Sequence, residues 1–304
     1  MKGVTGLHHI TAICGEPRRN KKFYTELLGL NFVKKTVNHD DPTTYHLYYG
    51  DEDASPGTLL TFFPWTHLPR ATRGVQETQR INFEIPLDTM SFWENRLKKA
   101  GMETRRETVF GTTFLYFEDS HGLRLGLAEN RASSRFAEST TVEAPSRIQG
   151  FHSVHLCVAK KEPTTEVLEV LGYQERRNQD EWTEMRIDTD SANAVYLEED
   201  PSQQVARQGI GSVHHVAYGT PTRDKELELR EAIKQHGLQI TNVVDRKYFK
   251  SLYFHEPNNV LFEIATHGPG FNVDEDKDRL GEKLVLPEHL EQYRDEIENQ
   301  LPEL

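Results

Sequence analysis

Cysteine is nearly absent: Cys14 and Cys157 are the only two in 304 residues. Two cannot build a disulfide framework or a cysteine-rich zinc site. No stretch approaches the roughly 20 apolar residues that a membrane span needs. The greasiest run, around Thr58 to Trp65, has the length of a strand. Positive charge is also short: 36 Lys and Arg stand against 48 Asp and Glu, a net charge of −12. A general nucleic-acid binder needs a basic face for phosphate, so the balance argues against that class. The opening Met1-Lys2-Gly3-Val4-Thr5-Gly6 has no signal-peptide core. These absences lead us to expect a reduced, cytoplasmic protein with no nucleic-acid and no membrane partner. Common catalytic signatures are missing too. There is no Walker A loop, no G-x-S-x-G elbow and no H-E-x-x-H helix. Gly209-x-Gly211 precedes a strand-like run and lacks a third glycine, so it is not a dinucleotide loop.

What is present is a repeat. A helical pattern, a glycine and an extended run recur around Gly29, Gly101, Gly172 and Gly237, spaced 72, 71 and 65 residues apart. Each glycine sits where a helix should stop in the left-handed conformation. A β-like run precedes each: Leu7 to Ala12, Arg80 to Ile85, Ser153 to Val158 and Val213 to Tyr218. About three extended stretches follow. Pro17 and Pro163 suit first helical turns, and Asp88 or Thr89 suits an N-cap. The unit reads βαβββ, four times. Residues 129–146, rich in Ser, Thr, Ala and Glu, read as a linker between residues 1–128 and 148–266, each a pair of units. Residues 267–304 form an extension in which Leu286-Pro287 starts a helix over Glu288 to Leu301.

Histidine is where chemistry enters. Laying the four first strands on one another puts His9, Asn82, His155 and His215 at one repeat position. Side chains alternate along a strand, so one residue of His8-His9 and one of His214-His215 faces the concave side. Repeat position favours His9 and His215. His8 and His214 then point to the other face or touch the site from its flank. Glu263 is the only acid inside the apolar run Val260 to Ala265, where an ionised carboxylate is costly unless paired or metal-bound. Two imidazoles and one carboxylate from separate strands make a facial triad, which suits non-haem Fe(II) oxygen chemistry. On the residues alone, His155 competes with His9, and Glu198 could join it in a second, vestigial site. His39, His46, His121, His236, His255 and His289 follow no repeat logic and read as structural or solvated. Tyr45, Tyr48 and Tyr49 read as sheet packing.

Three motifs carry a resemblance: Leu7-His8-His9-Ile10-Thr11, Tyr45-His46-Leu47-Tyr48-Tyr49-Gly50-Asp51, and Leu261-Phe262-Glu263-Ile264-Ala265-Thr266 followed by Gly268-Pro269-Gly270-Phe271. With them the chain resembles the ring-cleaving dioxygenases of the glyoxalase/bleomycin-resistance/extradiol-dioxygenase (vicinal oxygen chelate) superfamily, in the branch of the hydroquinone and chlorohydroquinone dioxygenases. The likeness runs the whole length, including Leu280 to Pro287. It implies an α+β fold in which four βαβββ modules form two glyoxalase-like half-barrel domains, plus a C-terminal helical tail. It implies metal ligands His9, His215 and Glu263, deciding against His155, and second-sphere groups His8, Arg246 and Tyr253. Arg246 would stabilise charge, and His8 or Tyr253 would handle protons. The chain departs from the family at Asn258-Asn259, where Gly-Gly is usual, and at His255 and His267.

The activity so implied is extradiol-type: Fe(II)-dependent cleavage of a hydroquinone or catechol with O₂. Mn(II) or another divalent ion is the alternative cofactor, and a homo-oligomer is among the assemblies to test. The partners are a small aromatic diol and O₂. The alternatives are a glyoxalase-like metal-dependent isomerase or lyase, or a metal-free small-aromatic binding protein on the same fold. One local expectation follows. If Tyr253 serves the site it must sit opposite Glu263, which needs a three-residue loop, Pro257-Asn258-Asn259, with Asn259 left-handed.

Overall fold

The computed structural model describes residues 3–130, 141–189 and 192–304. The centre of the linker, 131–140, lies outside them, as do Met1 and Lys2. Four βαβββ units follow one another. The first is β1 (Leu7–Cys14), α1 (Pro17–Lys22, continued by a π-helical turn Phe23–Leu27), β2 (Asn31–Val37), β3 (Tyr45–Gly50) and β4 (Leu59–Pro64). The second is β5 (Glu77–Pro86), α2 (Met90–Lys99), β6 (Arg105–Val109), β7 (Thr112–Glu118) and β8 (Arg124–Asn130). The third is β9 (Gly150–Val158), α3 (Lys161–Val170), β10 (Gln174–Gln179), β11 (Trp182–Arg186) and β12 (Ala194–Glu199). The fourth is β13 (Val213–Thr220), α4 (Arg223–Gln235), β14 (Val244–Asp245), β15 (Lys250–His255) and β16 (Leu261–Thr266). The tail ends in a 3₁₀ segment, Glu288–Tyr293, that runs into α5 (Arg294–Gln300). No helix among the described residues is long and apolar enough to cross a membrane.

The helix punctuation follows local chemistry in part. All four glycines take positive φ, between 72° and 98°, just past the helices they end. Pro17 opens α1, where Glu16 accepts hydrogen bonds from the Arg18 and Arg19 amides. α2 is different. Thr89 holds the cap position, but its hydroxyl donates to the Pro86 carbonyl, and the Met90 amide donates instead to Glu129 at 2.8 Å. A cap supplied by β8 is a tertiary contact, invisible in the local sequence.

The strands make two eight-stranded sheets. One runs β14-β15-β16-β13-β1-β4-β3-β2, the other β10-β11-β12-β9-β5-β8-β7-β6. Units one and four therefore share a sheet, and units two and three share the other. The consecutive pairs 1–128 and 148–266 describe chain order, not sheet partnership. The physical reason is the open edge that each unit leaves on its first strand. β1 closes its edge antiparallel on β13, and β5 closes on β9.

Ile10, Ala12 and Cys14 of β1 belong to the main apolar core, together with Phe62, Trp93, Phe151 and Tyr218. The concave face of the first sheet carries a smaller cluster with Tyr48, Ala217, Phe249 and Phe271. That of the second carries Phe114, Tyr116, Ala194 and Tyr196. The tail straps the first sheet. Buried Lys34 pairs with Asp274, at 2.7 Å, and with Glu275, and the Tyr248 hydroxyl donates to Asp274. This seats Phe271 against Tyr48 and Tyr248, with ring centroids 5.2 and 4.5 Å away.

Candidate metal centre and its cavity

The β1–β13 seam departs from simple alternation twice. Leu7 pairs with Tyr218 and His9 with Ala217, so His8 is an extra residue on β1. Thr11 pairs with His215 and Ala12 with Val213, so His214 is an extra residue on β13. Each is a β-bulge, which re-aims a side chain. Both histidines of each pair thus lie to one side, where alternation along a regular strand predicts one of each. Their Nδ1 atoms meet at 2.9 Å in His8-His9 and 2.8 Å in His214-His215. Such a contact takes one proton. With Nε2 of His9 and His215 kept for a ligand role, their Nδ1–H groups donate to His8 and His214, which fixes tautomer and ring orientation.

The structure brings His9, His215 and Glu263 together. Their ligand atoms lie within 4.8 Å of one another, the one such His/Cys/Asp/Glu group among the described residues. Glu263 Oε2 is 3.2 Å from His9 Nε2 and 3.0 Å from His215 Nε2, and the two Nε2 atoms are 3.4 Å apart. Three ligands about 2.1 Å from one ion stand about 3.0 Å apart in a facial octahedral set and about 3.4 Å apart in a tetrahedral one. The observed triangle spans that range, so the residues fit a divalent ion. Glu263 Oε2 is buried yet has no contact of hydrogen-bond geometry, and its lone pairs converge with those of the imidazoles on a common point. Ser251 donates to the other oxygen, Oε1, and fixes the carboxylate plane. Burial pushes the Glu263 carboxyl up, and the adjacent imidazoles pull it well below the usual carboxylate range when they carry a proton; with the rings neutral, a bound cation would supply that positive charge instead. Burial lowers His215, so that ring is neutral and free to ligate.

A cavity of about 500 Å³ opens over this point. Phe63, Trp65, Phe249 and Leu261 supply apolar wall, and Arg246 and Tyr253 a polar corner. Arg246 Nε donates to the Tyr253 hydroxyl at 3.1 Å. The hairpin that places Tyr253 has the expected form: Tyr253 pairs with Glu263, and Asn259 has φ +64°. Asn258 serves elsewhere, bonding Lys160 and Thr164 at the start of α3.

His8 does not line the cavity. It packs behind His9 against Phe249 and His267, at centroid distances of 5.2 and 6.0 Å. Its mate His214 does line the cavity, and burial with His215 nearby pushes its pKa down to about 3. Sequence reasoning also missed His39, His46 and Tyr48, which line the cavity rather than serving only as structural, solvated or packing residues. The signal for His46 and Tyr48 was their i, i+2 spacing on a strand that precedes β4. His255 is exposed and bonds the Asn259 carbonyl.

Register overturns the alignment of Asn82 and His155 with His9 and His215. On the second sheet Arg80 pairs with His155 and Asn82 with Ser153, and the extra residues are Gln79 and His152. Matching bulge to bulge puts Arg80 at the place of His9 and Ser153 at the place of His215. His155 is two positions on, buried among Phe114, Trp182 and Tyr196, with its Nε2 unpartnered. Glu198 pairs with Trp182 and Cys157, two positions beyond the Glu263 equivalent, which is Tyr196.

Within the first sheet, the two-fold relation between units one and four sets where a fourth ligand would stand. Ala217 pairs with Glu263, and its mate Thr11 pairs with Thr61. Thr61 therefore holds the place opposite Glu263. Its hydroxyl is engaged with Thr11 and His46, both at 2.8 Å. With three ligands, and opposite Glu263 a hydroxyl already bonded to its neighbours, a bound ion would keep positions for incoming molecules.

The family profile described as the glyoxalase/bleomycin resistance protein/dioxygenase superfamily matches residues 6–127. MhqO of Bacillus subtilis, provisionally named a ring-cleaving dioxygenase, is 38% identical over 99% of this chain and 96% of its own. The chlorohydroquinone/hydroquinone 1,2-dioxygenase of Sphingobium indicum is 30% identical over 97% of this chain and 95% of its own. Among solved structures, a Bacillus subtilis protein provisionally named a dioxygenase superposes with a TM-score of 0.96. It is 36% identical and covers 100% of this chain and 98% of its own. Glyoxalase I of Zea mays shares the fold, with a TM-score of 0.65 and 17% identity over 86% of this chain and 92% of its own.

Proposed function

The chain belongs to the glyoxalase/bleomycin resistance/dioxygenase superfamily, and from that premise we propose that it is an Fe(II)-dependent, extradiol-type ring-cleaving dioxygenase acting with O₂ on a hydroquinone or catechol. The observation that carries the proposal is the three-ligand face of His9, His215 and Glu263 under a cavity with aromatic walls. An Fe(II) held there would supply a Lewis-acidic, redox-active centre with room for both a phenolic oxygen and O₂.

The chain's own residues do the rest. Phe63, Trp65, Phe249 and Leu261 hold a flat ring and exclude water. The Arg246 guanidinium, anchored on Tyr253, stands ready for negative charge on the ring oxygen, in a site where such a charge is poorly solvated. The Tyr253 hydroxyl accepts from Arg246, which leaves its own proton to donate into the cavity. His214, held neutral and accepting from His215 at Nδ1, keeps its own proton on Nε2 and lines the cavity as a hydrogen-bond donor, and His8 acts through His9 by orienting it. Thr61 in place of a fourth ligand favours this reading over a glyoxalase-like isomerase.

Fe(II)-loaded protein should consume about one O₂ per hydroquinone or catechol and release a ring-opened product without free peroxide. An oxygen electrode with product mass spectrometry tests this. Quinone with peroxide, or turnover of a methylglyoxal–thiol adduct without O₂, would overturn it.

A further inference from the structure

The two-fold relation between units one and four assigns a partner to Tyr253. Tyr253 pairs with Glu263 on β16, and Tyr48 pairs with Thr61 on β4. Glu263 and Thr61 are mates, so Tyr48 is the mate of Tyr253, and His46 that of Ser251. Two tyrosines thus stand on opposite flanks of the metal point, and both line its cavity. Tyr253 is tied to a cation. Tyr48 is tied to a neutral chain: its hydroxyl meets His46 Nδ1 at 2.9 Å, His46 Nε2 meets Thr61 at 2.8 Å, and Thr61 meets Thr11 at 2.8 Å.

That chain is costly to bury unless every member is satisfied. Its members are satisfied up to Tyr48, where one function is left over. A neutral imidazole has one N–H for its two neighbours. If His46 donates to Thr61, it accepts from Tyr48, whose oxygen lone pairs then face the cavity. If it donates to Tyr48, the phenolic proton faces the cavity. In either polarity one hydrogen-bonding function of Tyr48 points at whatever fills the space. Phe271 packs on the Tyr48 ring and His46 lies 4.2 Å from it, so the side chain is held in place.

Resting on the proposed reading of the site, we propose that Tyr48, positioned by His46, determines specificity. It hydrogen-bonds the substrate hydroxyl that is not on the metal, and so selects a para-diol over a ring with one hydroxyl. A catechol keeps both oxygens near the metal and gains little from Tyr48.

The test is equilibrium binding to anaerobic, Fe(II)-loaded protein, with hydroquinone, phenol and catechol as probes and iron per chain measured alongside. Wild type should bind hydroquinone roughly tenfold tighter than phenol, the worth of one well-made neutral hydrogen bond. Tyr48→Phe should erase that gap while iron content, phenol affinity and catechol affinity hold. His46→Gln, which keeps a hydrogen-bonding side chain but loosens the anchor, should narrow the gap. If Tyr48→Phe keeps the gap, or weakens all three probes alike, the specificity role falls and the dioxygenase reading stands. If wild type binds none of the probes, the reading of the cavity as an aromatic site falls, and the role of Tyr48 with it.

Discussion

The two sheets have the same strand order, the same antiparallel seam and a β-bulge on each side of it. At matched positions the first presents His9, His215, Glu263 and Thr61. The second presents Arg80, Ser153, Tyr196 and, opposite Asn82, Gly126. In the first, three lone pairs converge on a point. In the second, Arg80 lies over the Tyr116 ring at 4.4 Å, the Tyr196 hydroxyl donates to Glu184, and aromatic rings fill the concave face. One scaffold therefore supports a candidate metal centre or a packed core, and the choice is made by a few side chains at bulge-defined positions. Burial tells the same story. The carboxylate in the first sheet stands between two imidazoles, a set that a divalent cation would balance. In the second sheet, buried Glu184, beside the Glu263 equivalent Tyr196, is paired with Arg186 at 2.7 Å.

The largest effect on this contrast should come from Glu263→Gln. A neutral amide is a poor ligand for a hard divalent ion, so O₂ uptake with a diol should fall to background. Residual turnover above a few per cent in an oxygen-electrode assay would separate activity from the triad. Next is Arg246→Ala, which removes one charge-stabilising donor and leaves the ligands alone. Iron should be retained while kcat falls by ~10²–10³. His8→Phe touches only the group that orients His9, so it should weaken metal affinity by about 10–100-fold, read by competition with a chelator.

The smallest effect belongs to the second sheet and to stability. His152 is fully buried, and burial with Arg186 nearby pushes its pKa down to about 3 from an ordinary 6.5. Below pH 6.5 the unfolded chain binds a proton at this residue that the folded chain refuses, so stability falls as pH falls. The loss is about 1–2 kcal/mol between pH 6.5 and pH 5. Urea unfolding at the two pH values should show that slope in wild type and a shallower one in His152→Gln.

Much of this could be read in the sequence. The βαβββ plan, the four glycine stops and the Tyr253–Glu263 pairing rest on local rules of turns and helix ends. What escaped depends on a partner strand. A bulge exists only relative to the strand opposite, so nothing local in His8-His9 or His214-His215 says that both side chains turn to one side. For the same reason counting along the chain misaligned Asn82 and His155 by two residues. The pairing of unit one with unit four is likewise a choice of edge, not of composition. His46 read as structural or solvated and Tyr48 as sheet packing because nothing local in their strand says that the interior holds a cavity.

Metal stoichiometry tests the central claim most directly. Anaerobic Fe(II) titration of wild type, Glu263→Gln and Glu198→Gln should give one tight ion per chain in wild type, none in Glu263→Gln and one in Glu198→Gln. Two ions per chain in wild type, or a tight ion lost with Glu198 and kept without Glu263, would contradict the assignment of the centre to the first sheet.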